Sequence, residues 1–149
     1  MNVILGSDHA GFELKKILID IVKMLGHTAV DVGALEYDRS DDYPDYAEAV
    51  AKAVMEKKGE RGIMICGSGV GASIVSNKVP GIRAGICHDT YSAHQGVEHD
   101  NMNVLVLGSR IIGVELARDI VKTYLTAKFS NEERHKRRLQ KIAEIEKRY

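Results

Sequence analysis

The sequence predicts an α/β fold: a single-domain, Rossmann-like three-layer sandwich with a five-stranded parallel sheet and a C-terminal helical arm. Three observations carry this expectation. Short apolar runs alternate with longer segments whose apolar residues recur at helical spacing, which implies a parallel sheet covered by helices on both faces. The runs are apolar almost throughout, as strands buried on both sides must be. The length of 149 residues suits one domain, here taken as residues 1–149 with 131–149 as the helix or arm.

The elements follow in order. Val3-Ile4-Leu5 is a compact apolar run closed by Gly6, and reads as the first strand. Leu14, Ile17, Leu18, Ile21, Val22 and Leu25 recur at helical spacing, with Gly26 as a terminator. Residues 28–32 form a second strand candidate. Residues 38–44 read as an aspartate-rich loop ending in Tyr43-Pro44, a break signal. Residues 46–56 read as a helix with Ala47, Val50, Ala51 and Val54 on one face. Gly62-Ile63-Met64-Ile65-Cys66 is the third strand, apolar enough to be central. A glycine-rich turn follows, then a short helix from Ala72. Residues 82–86 and 104–107 supply two more strands, with a helix over 90–98 between them. Residues 111–125 read as an amphipathic helix. Residues 132–147 form a last, heavily charged one, with Leu139, Ile142, Ala143 and Ile145 as its apolar side.

Charge excludes some functions. Basic and acidic residues balance at 21 each, so the net charge is zero and nothing favours nucleic acid or an anionic membrane. Near-zero charge favours self-association. Met1-Asn2-Val3-Ile4-Leu5-Gly6 lacks the pattern of a signal peptide, and the uncharged stretch 62–77 is too short and glycine-rich for a membrane span. Cys66 and Cys87 form no CxxC pair and read as reduced thiols of a cytoplasmic protein.

In open parallel sheets the site lies beyond the carboxyl ends of the strands. After the first strand come Asp8 and His9. Asp8 suits a helix N-cap, a role that leaves His9 unexplained. After the third strand comes Cys66-Gly67-Ser68-Gly69-Val70-Gly71. Three glycines in five residues let backbone N–H groups turn inward beside a helix start, which makes an anion cradle. The anion is either a phosphate or charge developed during a reaction. The Lys-Ser/Thr ending of a P-loop is missing. Cys66, where the cradle begins, is either a small buried hydrophobe or a thiolate favoured by those N–H groups, able to act as base or nucleophile. Arg110 follows the fifth strand. His99 is an acid/base candidate or an ordinary loop histidine. Arg134 and Arg138 are i,i+4 neighbours, either a solvated face or a phosphate clamp. Asp8, His9, Cys66, Cys87, His88 and His99 have no spacing typical of a metal site.

These segments, in this order, closely resemble the ribose-5-phosphate isomerase B family, which lies in a wider group with the galactose-6-phosphate isomerase subunits. The resemblance runs from residues 6–11 through 42–47, the 65–71 loop, Asn77-Lys78, 81–84, 103–105 and 108–110 to Arg134-His135 and Arg138. It implies a cofactor-free, metal-free aldose–ketose isomerase acting on a small phosphorylated sugar. Cys66 is then the base that moves the proton between C2 and C1. The N–H groups of Gly67, Ser68, Gly69, Val70 and Gly71 hold the enediolate oxygens, and the Ser68 hydroxyl shuttles a proton. Asp8 binds sugar hydroxyls, and His99 opens the furanose ring. His9, Arg110, Arg134 and Arg138 hold the phosphate. Relatives often read Asn-Asp after the histidine where this chain reads Asp100-Asn101, so the substrate-contacting place falls to either Asp100 or Asn101, with Asn101 the residue carried over by type. The resemblance also implies a homodimer, or a tetramer, whose sites are shared between subunits.

The default substrate pair is ribose 5-phosphate and ribulose 5-phosphate, with six-carbon allose 6-phosphate as the alternative. Two readings of other classes compete. Gly67 to Ala72 fits G-x-G-x-x-A, with Asp89 about 20 residues on to meet a nucleotide ribose. A non-catalytic sugar-phosphate sensor needs the cradle and arginines but not Cys66.

Overall fold

The computed structural model describes all residues, Met1–Tyr149. Five parallel strands form one sheet: β1 (Asn2–Ser7), β2 (Thr28–Asp31), β3 (Arg61–Cys66), β4 (Ala84–Ile86) and β5 (Val104–Gly108), in the order β2-β1-β3-β5-β4. Six α-helices connect and follow them: α1 (Phe12–Met24), α2 (Tyr43–Met55), α3 (Val70–Ser76), α4 (Thr90–Asp100), α5 (Val114–Thr126) and α6 (Glu133–Arg148). β3 is central, as its unbroken apolar run predicts.

Strand residues alternate between two cores. Val3, Leu5, Ile63, Ile65, Leu105 and Leu107 pack on one face against Leu18 and Val22 of α1, Val97 of α4 and Ile120 and Tyr124 of α5. Ile4, Met64, Cys66, Val104 and Val106 pack on the other against Val50 and Ala51 of α2 and Ala72 of α3. Both faces are covered, which is why the strands show no polar alternation. Cys66 belongs to the α2–α3 side.

The handedness of parallel crossovers then decides where the site lies. A right-handed connection that moves one way across the sheet puts its helix on one face, and a return puts it on the other. The step from β1 to the edge strand β2 places α1 on one face. The steps from β2 to β3 and from β3 to β4 place α2 and α3 on the opposite face. The return from β4 to β5 brings α4 back to the α1 side. The chains leaving β1, β3 and β5 therefore part to different faces, and a crevice opens at their carboxyl ends.

Several boundaries differ from the sequence reading, each for a local reason. α2 begins at Tyr43, with Pro44 inside its first turn rather than breaking the chain. The first-turn N–H groups have no intrahelical acceptor, so proline costs nothing there. α5 begins at Val114, after Gly113, so Ile111 and Ile112 belong to the preceding turn. β4 keeps only three of its five expected residues, as an edge strand paired to β5 alone. α6 rests on α4 and on the turn before β4. Its His135 is buried and Glu146 accepts the Gly81 N–H at 2.9 Å, while Ile142 and Ile145 remain largely exposed. It is fastened along one edge only.

Leu105, fully buried at the centre of the larger core, tests this packing. Leu105→Ala should lower the unfolding free energy by about 2–5 kcal/mol. Urea melts should show a lower midpoint with an unchanged slope.

Candidate active site

The crevice is built from three strand ends. In the register of β3 and β5, Cys66 lies opposite Gly108. The chain after β3 folds back over Gly108 so closely that a Cβ there would lie 2.6 Å from the Ser68 carbonyl oxygen. Two backbone bonds lock this arrangement: the Ser109 N–H donates to the Cys66 carbonyl at 2.8 Å, and the Arg110 N–H to that of Gly67 at 3.0 Å. Gly69 then turns with φ +88°, a left-handed conformation that suits glycine, and α3 starts. The Gly69 N–H points back at the Cys66 Sγ, 3.2 Å away. The Val70 N–H donates to the Ser68 hydroxyl at 3.3 Å. The N–H groups of Gly67, Ser68 and Gly71 have no acceptor within the chain.

After β1, Asp8 caps a short 3-10 turn by accepting the Gly11 N–H at 3.2 Å. The capping role read from the sequence is real, and Asp8 also faces the crevice. Gly11 is pressed against the end of β3, where a Cβ would meet the Ile65 carbonyl oxygen at 2.5 Å. The Ser109 hydroxyl donates to the Ala10 carbonyl at 2.6 Å and ties this turn to the β5 end.

The result is a cavity of about 260 Å³ lined by Asp8, His9, Ala10, Tyr43, Cys66, Gly67, Ser68, Gly71 and Arg110. Seven of the expected site residues meet here. Cys66 is only 4% exposed yet lines this wall, so it is not sealed in the apolar interior. Gly69 stands behind the sulfur. Val70 lies on the outer side of α3, half exposed. The sequence reading missed Tyr43, whose ring rests against Gly71. The signal was Tyr43-Pro44 itself, since a residue heading a helix after β2 must lie at the carboxyl edge.

Asp41 was missed too. Its Oδ1 accepts from the His9 backbone N–H at 2.9 Å and lies 2.7 Å from the His9 Nδ1. That hydrogen bond raises the His9 pKa, opposed by desolvation and by Arg110 and assisted by the charges of Asp8 and Asp41. Asp8, His9 and Asp41 place potential ligand atoms within 4.8 Å of one another. Spacing alone hid this grouping, which the fold uses to hydrogen-bond His9 to Asp41. Arg110 extends over Gly67, with a terminal nitrogen 3.3 Å from where a Cβ would stand.

The remaining expected residues form a separate group. α4 runs back from the carboxyl to the amino edge of the sheet, carrying His99 away from Cys66. The His99 ring stacks on His135 of α6, with centroids 4.2 Å apart and planes inclined by 26°. Its Nδ1 lies 3.0 Å from the Gln95 amide. Burial, with His99 and Arg134 nearby, lowers the His135 pKa. Arg134 pairs with Glu132 at 2.8 Å, and Arg138 is exposed. Asn101 ends α4 at φ +47°, a conformation asparagine tolerates, and its carbonyl accepts from Arg83. Asp89, the residue of the nucleotide reading, is committed to capping α4 through Ser92, whose N–H it accepts at 2.6 Å.

Comparison with known proteins agrees with this geometry. The family model described as Ribose/Galactose Isomerase matches residues 3–142. The ribose-5-phosphate isomerase B of Escherichia coli strain K12 is 42% identical over 147 residues, covering 99% of this chain and 97% of that protein. The structure of ribose-5-phosphate isomerase B from Clostridium thermocellum superposes with a TM-score of 0.96 at 47% identity, covering 100% of this chain and 99% of that one. That of the Mycoplasma genitalium ribose-5-phosphate isomerase B, with bound ribulose-5-phosphate, superposes at 0.93 with 40% identity, covering 99% and 97%. With its strand-end crevice and a match spanning nearly its whole length, the chain belongs to the ribose/galactose isomerase family.

Proposed function

We propose that this chain interconverts ribose 5-phosphate and ribulose 5-phosphate through an enediolate, with Cys66 as the base. The observation that carries the reading is one wall of the cavity, where the Cys66 sulfur lies beside unused backbone N–H groups. Aldose–ketose isomerisation needs a base that reaches C2 and C1 in turn. It also needs fixed positive dipoles where the oxygens gain charge. The Gly67, Ser68 and Gly71 amides supply such dipoles without reorganising, and one comparable donor is worth ~3–4 kcal/mol elsewhere. The base takes the C2 proton as electrons shift onto the C1 oxygen, then returns a proton to C1. The Ser68 hydroxyl, at the mouth of the loop, is placed to move the hydroxyl proton. Asp8 orients the sugar hydroxyls. His9 and Arg110 hold the phosphate, whose binding energy fixes the reacting carbons.

His99, Asn101, Arg134 and Arg138 enter this scheme through a second subunit. The site of one protomer is completed by the α4–α6 surface of its partner, with residues 131–149 as the reaching arm. Exposed Val70 and Ile74 on α3 and Tyr91 on α4, and exposed Arg134 and Arg138 on α6, support this arrangement. No helix is long and apolar enough to cross a membrane, and a cytoplasmic setting suits two free cysteines.

Cys66→Ala should cut kcat roughly 10²–10⁴-fold while calorimetry shows unchanged sugar-phosphate affinity. Retained turnover would remove Cys66 as base, and an inert wild type that still binds would favour the sensor reading. Ribose 5-phosphate should give a higher kcat/KM than allose 6-phosphate, and the reverse order would move the assignment to a six-carbon substrate. A Cβ on Gly71 would stand 2.4 Å from the Tyr43 ring. Gly71→Ala should therefore keep its melting temperature but raise KM as the ring is pushed into the cavity. An unchanged KM would take Tyr43 out of the site.

A further inference from the structure

We propose that Asp41 is a positioning residue: it holds His9 in the doubly protonated form, so that the ring offers its Nε2–H to the substrate phosphate. The inference deepens the isomerase reading and rests on it for the identity of the ligand. It begins with geometry. One carboxylate oxygen, Asp41 Oδ1, takes the His9 backbone N–H and the ring Nδ1 together, at 2.9 and 2.7 Å. The Asp41 side chain is 6% exposed and that of His9 28%. The ring thus stands between a sequestered carboxylate and the cavity. Two contacts to one oxygen fix both the backbone and the ring plane of His9.

The hydrogen-bond inventory of imidazole gives this placement its consequence. Nδ1 must carry a proton to donate to Asp41. A neutral ring would then present a lone pair at Nε2. A lone pair facing a phosphate oxygen repels it, whereas Nε2–H of the imidazolium makes a charge-assisted bond to it. In this orientation protonation does more than add charge. It decides whether His9 attracts the ligand or rejects it. A phosphate monoester carrying nearly two negative charges makes the difference large.

The other groups around His9 set the balance. Asp8 precedes it at the end of β1, and Asp38 lies in the same loop as Asp41. Arg110 faces it from beyond β5. Tyr37 meets the ring edge-on at 6.4 Å, Tyr46 of α2 borders Asp41, and Tyr43 and Cys66 share the cavity. Carboxylates outnumber the one guanidinium, and the His9 pKa is raised. Phosphate affinity that depends on the imidazolium is then complete at low pH and is lost as pH rises through that raised value. Asp41→Asn keeps an oxygen that can accept from Nδ1 but removes the charge, so the loss moves to lower pH.

Protein labelled with ¹⁵N-histidine, with His9 assigned by His9→Gln, should show a His9 midpoint above the ordinary 6.5 in the wild type. In Asp41→Asn the midpoint should fall below that of the wild type, since the Asp41 hydrogen bond is the largest cause of the raised value. Calorimetry with inorganic phosphate should find D41N several-fold weaker than wild type near pH 8, and level with it near pH 5.5, where both rings are protonated. KM for ribose 5-phosphate should follow the same profile, with kcat nearly unchanged. The double variant should bind no more weakly than His9→Gln alone. Identical midpoints in wild type and D41N, or additive losses in the double variant, would overturn the proposal. Should D41N fail to fold, a wild-type His9 midpoint at or below 6.5 would overturn it alone. A wild type that binds phosphate with the expected profile but does not isomerise would sink the isomerase reading and leave the role of Asp41 standing.

Discussion

The site depends on one backbone constraint, the folding of the chain after β3 across the end of β5. Cys66 and Gly108 end side by side, and their carbonyl and amide neighbours are bound to each other. Glycine at 108 removes the side chain that would hold the loop away. The loop can then turn its own amides inward and bring one of them onto the Cys66 sulfur. No side chain need be recruited to create the positive lining. It follows from the path of the backbone, and is therefore rigid before any ligand arrives.

The same constraint explains how one sheet position can serve structure and, on the proposed reading, chemistry. Cys66 is counted among the buried residues of the smaller core, beside Met64 and Ala72. It ends the central strand, so the core fixes its position to within the tolerance of a β ladder. Sites built on such rigid elements hold reacting groups more precisely than sites on free loops. The switch in helix placement around β1, β3 and β5 opens space above that fixed point. Fold and function are joined at the strand ends rather than along a surface.

Much of this was legible in the sequence because the strongest signals are local. Apolar runs such as 62–66 and 104–107 fixed the strands and the central place of β3. The glycines at 67, 69 and 71 marked the cradle, and Asp8, His9, Ser68 and Arg110 were placed beside it by the strand-end rule. What stayed hidden depends on distance in sequence. Asp41 lies 32 residues from His9, in a loop without periodicity, so no spacing argument could pair them. Tyr43 was read as a break because proline follows it, yet the first helical turn accepts proline without loss. The position of β5 between β3 and β4 also follows from tertiary packing alone.

The histidines show how environment rather than residue type assigns chemistry here. His9 sits against a sequestered carboxylate and has its pKa raised. His135, buried and stacked on His99 beside Arg134, has its pKa lowered by burial and by those neighbours. The first is suited to holding an anion, and the second to packing against the His99 ring. The two groups lie at opposite edges of the sheet, because α4 carries one away from the strand ends where the other is fixed. A single copy of the chain therefore keeps Cys66, His9 and Arg110 apart from His99, Arg134 and Arg138, groups that the proposed chemistry needs together. On the shared-site reading, assembly does more than add stability. It determines when the two sets meet, so that the exposed basic face of α6 acquires a task only against a second copy.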